Sequence, residues 1–190
     1  MNLYRNDRVS VQDYFEIREN CEQLLEYIDE YIYMSPSHSI KHQRISGNLY
    51  IKFREFLEEK TCEVFHAPVD IELKNEKIDR TTIVIPDLCI ICDKNGFTDS
   101  KYIGVPNLIV EILSPSNQTH DLITKLNLYM NYGVQEYWIV NPMLNSVSVY
   151  ALNEEKLYIQ HDMKTEIGKI TSHFLKGFHV DLKDIFQDNI

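Results

Sequence analysis

Ile45, Leu49, Phe53 and Phe56 recur at helical spacing, which predicts an amphipathic helix over residues 39–60. Short β-patterned runs precede and follow it. Tyr31–Met34 reads as a strand stopped by Ser35, Pro36 and Ser37, after a short helical lead-in that includes residues 13–18. Residues 62–66 and 69–73 read as further strands, and a polar turn over 74–80 leads into an apolar run over 82–92. Residues 108–113 are apolar at nearly every position except Glu111, the pattern of a central strand covered on both faces. Ser114, Pro115, Ser116 and Asn117 break that strand and offer caps for a helix over 118–132, which Gly133 ends. A buried strand over 136–140 follows, then a hairpin of residues 146–152 and 157–160. The order β-α-β-β-β-β-α-β-β-β predicts an α/β (α+β) fold with a mixed central sheet flanked by helices.

The bulk composition adds limits. A length of 190 residues suits one domain, and 44% hydrophobic with 25% charged residues is ordinary for a globular chain. No apolar run approaches the roughly 18–20 residues of a membrane span, and the N-terminus lacks the apolar core of a signal peptide, so a cytoplasmic protein is expected. Cys21, Cys62, Cys89 and Cys92 suggest no disulfide framework in that compartment. Cys89 and Cys92 lie three apart on a strand pattern, so their sulfurs point to opposite faces, and they read as buried thiols. The net charge of −10 opposes a nucleic-acid partner, although residues 35–54 carry Lys41, Arg44, Lys52 and Arg54 and no acid.

Two acids stand out chemically. Asp87 follows Pro86, and Glu111 interrupts an apolar strand 24 positions later. Buried carboxylates need a cationic companion, and hard divalent cations take oxygen ligands. Asp121, Lys125 and Tyr129 recur every four residues on a helical pattern and share a face. Asp121 and Lys125 form either a plain intrahelical ion pair or, if that face meets Glu111, part of a phosphodiester-cutting site. His42 falls on the inward face of the first long helix, either as a buried core histidine or lining the metal site. Glu26 is a weaker site-lining candidate, placed ahead of the first strand. Lys41, Arg44 and Lys52 either touch phosphates or form a solvated face. His38, His66, His173 and His179 have no spacing that suggests zinc, and Tyr132, Tyr137 and Trp138 read as core.

Pro86-Asp87, the block from Val110 through Glu111 to Ser116, the Asp121/Lys125/Tyr129 triplet and the block from Gly133 to Trp138 together resemble a bacterial family. It is the Uma family of restriction-endonuclease-like proteins, a branch of the PD-(D/E)XK nuclease superfamily. Residues 28–36 and 42–46 are also similar to its N-terminal half. The likeness spans roughly residues 13–160 of a single 1–190 domain, with 161–190 as a C-terminal extension. The resemblance implies a restriction-endonuclease-like core in which Asp87 and Glu111 hold Mg2+ or Mn2+ together with the Ile112 carbonyl. The superfamily's lysine, two places after the second acid, is replaced by Leu113, and Lys125 takes over its role. DNA is the implied substrate and a homodimer the implied assembly, with no membrane association. A non-catalytic interaction module that keeps the fold, and a hydrolase of other phosphoesters, remain open beside the nuclease.

Overall fold

The apolar run over 82–92, expected as one strand, is cut at Pro86, and the cut separates two sheets. Proline has no N–H for a ladder, so the chain leaves one sheet and enters another through Ile85, Pro86 and Asp87. The computed structural model describes residues 2–4, 7–34, 38–114 and 120–187, with the backbone alone for 2, 3 and 120–122. The stop signals expected at 35–37 and 115–117 lie outside the described residues.

The first sheet contains β1 (Asn2–Leu3), β2 (Leu25–Ile28), β3 (Tyr31–Met34), β5 (Asp70–Asn75), β6 (Ile78–Val84) and β8 (Lys101–Ile103), in the order β1-β3-β2-β6-β5-β8. The second contains β4 (Glu63–His66), β7 (Leu88–Ile91), β9 (Leu108–Ile112), β10 (Glu136–Asn141), β11 (Ser146–Leu152) and β12 (Tyr158–Thr165), in the order β12-β11-β10-β9-β7-β4. β9 and β10 are parallel and their outer neighbours antiparallel, so this sheet is mixed as expected. The single expected sheet is thus two, and the polar turn expected over 74–80 narrows to Glu76 and Lys77 between β5 and β6. β2 and β8 were not legible, because each is short and carries a charged residue, Glu26 or Lys101.

Helix α1 (Val11–Glu19) lies against the first sheet, where Tyr14 packs with Leu25, Tyr27 and Ile32. Helix α2 (Ile40–Leu57) starts at Ser39, whose side chain accepts from the His42 N–H at 3.1 Å. It buries Ile45, Leu49, Phe53 and Leu57 against one face of the second sheet, each contributing about 1.5–3 kcal/mol of transfer free energy. The expected helix over 118–132 is a π-helical turn, His120–Lys125, followed by α3 (Leu126–Tyr132). Gly133 ends it in the left-handed conformation at φ 89°, as its position predicts.

Strand periodicity sorts the second sheet into two faces. Leu88, Ile90, Leu108, Val110 and Trp138 face α2, whereas Cys89, Ile91, Ile109, Tyr137 and Ile139 face the first sheet and α3. Glu111 shares the parity of Ile109, which aims it at the layer between the two sheets.

Residues beyond 160 complete the core. Strands β13 (Lys169–Thr171) and β14 (His179–Asp181) form a ribbon that leads to α4 (Leu182–Phe186), and Ile170, Phe178, Val180 and Ile185 pack against α2. Glu136 grips this segment. Its Oε1 accepts from Trp138 Nε1 at 2.6 Å and Ser172 Oγ at 2.7 Å, and its Oε2 from the N–H groups of His173 and Phe174.

The cysteine expectation needs one correction. Cys62 and Cys92 are joined in a disulfide, because the Glu63–Ile91 register places them opposite each other beyond β4 and β7. Cys89 remains a buried thiol, and burial pushes its pKa up. No helix among the described residues is long and apolar enough to cross a membrane.

Candidate functional site

Glu111, Lys125, Tyr129 and Glu26 meet in the layer between the sheets. Lys125 closes the π-helical turn and is 1% exposed; its ammonium donates to Glu111 Oε1 at 2.8 Å and to Glu26 Oε1 at 3.1 Å. Tyr129, one α-turn later, donates its hydroxyl to the same Glu111 oxygen at 2.7 Å. Lys125 and Tyr129 therefore do share a face, and that face meets Glu111. Leu113 is buried among the residues on the same side of the second sheet, so the position two after Glu111 is occupied by packing while the helix supplies the charge.

Glu26 belongs to β2 rather than preceding the first strand. Its Oε1 also accepts from the Ile85 N–H at 2.6 Å, tying it to the crossover that carries Asp87. Its Oε2 is buried with no hydrogen-bond partner among the described residues. Burial pushes the Glu26 carboxyl above its ordinary value, against the pull of Lys125 and the Ile85 N–H.

Asp87 stands at the other end of this group. Its Oδ2 accepts from the Ile112 N–H at 2.7 Å, which ties the crossover to the residue after Glu111. His42 Nε2 lies 3.1 Å from the same oxygen, so His42 sits at Asp87 instead of being bonded to backbone through that nitrogen. His38, set aside on sequence grounds, lies with it: its Nδ1 is 3.1 Å from His42 Nε2 and 3.9 Å from Asp87 Oδ1. The local signal for His38 is its place four positions before His42, just ahead of the Ser39 cap of α2, where its ring packs on that of His42 with centroids 4.0 Å apart. Burial pushes the His38 imidazole below its ordinary 6.5, with Asp87 opposing and His42 and Lys125 reinforcing the shift.

A depressed histidine makes stability pH-dependent. The unfolded chain takes up the proton first, so the His38 contribution is whole above 6.5 and is lost as pH falls through the lower folded value. The urea midpoint of the metal-free protein should therefore fall below pH 6.5 more steeply than that of His38→Ala.

The remaining expected residues lie apart from this cluster. Lys41 donates to the Pro142 carbonyl at 2.6 Å, Lys52 pairs with Asp184 at 3.6 Å, and Arg44 is exposed on α2. The side chain of Asp121 is outside the described residues.

The donor set fits a divalent cation. Among the described residues three buried acids, Glu26, Asp87 and Glu111, gather around one buried lysine, whose ammonium touches Glu26 and Glu111. An orphaned carboxylate oxygen on Glu26 and two imidazoles at Asp87 are what a cation would relieve. A cleft of about 140 Å³, lined by Leu24, Gln43, Ser46, His66 and Pro68, opens onto His38, His42 and Asp87.

Known proteins bear on this architecture. A structure described as that of a putative nuclease belonging to DUF820, from Anabaena variabilis, superposes with a TM-score of 0.68. At 18% identity it covers 87% of this chain and 91% of its own, which establishes a shared fold. An uncharacterized Synechocystis protein, slr1290, is 28% identical over 149 residues, covering 78% of this chain and 76% of its own. The model of the family Uma2, described as "Putative restriction endonuclease", matches residues 11–183, a longer span than the expected 13–160. A match of that extent, on a chain with this fold, makes the protein a member of the Uma2 family.

Proposed function

We propose that the protein is a metal-dependent DNA endonuclease that hydrolyses phosphodiester bonds with an activated water. The observation that carries this reading is the buried ion cluster in which Lys125 bridges Glu111 and Glu26, one residue from the Ile112 N–H that holds Asp87. Asp87, Glu111 and the Ile112 carbonyl are the groups that would hold the ion. Bound there, Mg2+ or Mn2+ would supply an acidified water and charge neutralisation on the scissile phosphate.

The chain's own residues prepare that chemistry. Tyr129 and Lys125 hold one Glu111 oxygen from two sides and so set the carboxylate's orientation. Lys125 sets its ammonium against both Glu111 and Glu26, and opposes the rise that burial imposes on the Glu26 carboxyl. The Ile112 N–H fixes Asp87 Oδ2, which also meets His42 Nε2, while Oδ1 lies nearer His38. Phosphate enters from that cleft, attack is in-line, and no enzyme-bound covalent intermediate forms. The net charge of −10 makes DNA affinity weak and salt-sensitive, consistent with a homodimer or a partner protein supplying further contacts.

The test is nicking of supercoiled plasmid in Mg2+ and in Mn2+, comparing wild type with Glu111→Gln and Asp87→Asn. Metal-dependent nicking in wild type, reduced at least about a hundredfold in both variants, is the expected result. Absence of nicking in either metal, with no metal binding by calorimetry, would favour an interaction module that keeps the nuclease fold.

A further inference from the structure

We propose that His38, His42 and Asp87 form a nitrogen-rich site that selects a first-row transition ion over Mg2+. The inference rests on the nuclease reading in that Asp87 belongs to both, and it names the class of ion that reading leaves open.

Geometry comes first. His42 Nε2 lies 3.1 Å from His38 Nδ1 and 3.1 Å from Asp87 Oδ2, and His38 Nδ1 lies 3.9 Å from the other oxygen of the same carboxylate, Oδ1. An ion with nitrogen and oxygen ligands at about 2.0–2.2 Å separates adjacent ligand atoms by roughly 3.0–3.5 Å, in octahedral or tetrahedral arrangement. The two edges at His42 Nε2 already match, and a turn of the partly exposed His38 ring brings its Nδ1 closer to the carboxylate. The two rings lie with centroids 4.0 Å apart and a tilt of 32°, so their nitrogens converge on Asp87 from one side.

Hydrogen bonding alone does not satisfy this arrangement. His42 Nε2 lies 3.1 Å from both an Asp87 oxygen and His38 Nδ1. One hydrogen on Nε2 serves the carboxylate or the neighbouring ring, not both. If Nε2 instead accepts from His38 Nδ1–H, its lone pair faces the carboxylate oxygen. A cation accepts lone pairs from all three atoms and removes the conflict.

Ligand chemistry then chooses the ion. Mg2+ requires oxygen donors and gives up water reluctantly, whereas imidazole suits zinc, iron, nickel and copper, and mixed imidazole-carboxylate sets suit manganese and cobalt as well. The cleft beside the three residues leaves room for water or a phosphate oxygen in the open coordination positions. Asp87, held by the Ile112 N–H, connects this ion to the strand that carries Glu111.

The experiment titrates the untagged, metal-free chain with Co2+, following visible ligand-field bands, with Zn2+, Mn2+ and Mg2+ as competitors. Wild type and Glu111→Gln should give saturable bands that Zn2+ displaces and Mg2+ in large excess does not. Binding should weaken at least about tenfold in His38→Ala and in His42→Ala. His38 has a side chain 22% exposed, so His38→Ala keeps the core and decides the matter if His42→Ala fails to fold by circular dichroism. Bands that survive both histidine variants, displacement by Mg2+, or no bands in wild type would overturn the site. Plasmid nicking on the same samples separates the two readings. Intact cobalt binding without nicking in any metal upholds the site and sinks the nuclease. Nicking in Mg2+ without cobalt binding sinks the site and upholds the nuclease.

Discussion

Replacing Lys125 by methionine is expected to reduce plasmid nicking at least about a hundredfold and to destabilise the fold by about 3–5 kcal/mol near neutral pH. Methionine fills much of the same volume, so the loss is mainly electrostatic. Glu26 and Glu111, both buried, would then face each other's charge without the ammonium that touches each of them. The pH dependence identifies the cause. Glu26 already has its carboxyl raised above the ordinary 4.5 by burial, and removing Lys125 takes away the strongest opposing influence. A carboxyl raised in the folded state favours folding most below its unfolded value and loses that contribution as pH rises through the folded value. The variant should therefore be closest to wild type in acid and fall furthest behind in alkali, as read from urea midpoints across the pH range. A uniform deficit at every pH would point to lost packing instead. Glu26→Gln in the Lys125→Met background should restore part of the stability and none of the nicking.

Glu136→Ala is expected to cost on the order of 4 kcal/mol or more, lowering the melting temperature by roughly 10 °C, while leaving nicking per folded molecule unchanged. The carboxylate receives four hydrogen bonds, from Trp138 Nε1, Ser172 Oγ and the N–H groups of His173 and Phe174. Its removal strands those donors, each at about 1–3 kcal/mol when buried. It also detaches the turn that brings Phe178 and Val180 onto α2. Faster proteolysis after residue 160 in the folded variant would locate the damage. A drop in specific activity with an unchanged melting temperature would contradict this structural role. Glu136 lies in the Gly133 to Trp138 block, among the most distinctive stretches of the chain, and what it does is fasten the C-terminal segment.

That segment marks a limit of local reading. Residues 161–190 show weak periodicity, with Ile170, Leu175, Phe178 and Val180 scattered among charged and turn residues. They become core only because Glu136 and the β13–β14 ribbon fold them back over α2. The disulfide is a similar case. Residues 62 and 92 share no local pattern, and only the pairing of β4 with β7 sets them face to face.

By itself the sequence determined what periodicity and isolated exceptions can carry. The spacing of Ile45, Leu49 and Phe53 marked α2, Gly133 marked the end of α3, and Glu111 stood out as the single acid of its own apolar strand. Lys125 and Tyr129 were legible as one face of a helix for the same reason: side-chain direction follows backbone period. The tertiary structure alone decided which groups meet. Glu26 reaches Lys125 across 99 positions and the Ile85 N–H across 59, and His38, whose spacing suggested no metal, lies 3.9 Å from Asp87. It also decided that Pro86 divides two sheets rather than interrupting one. Contacts between distant segments leave no period in the chain, and a polar residue at a strand edge or helix start reads the same whether water or a buried partner satisfies it.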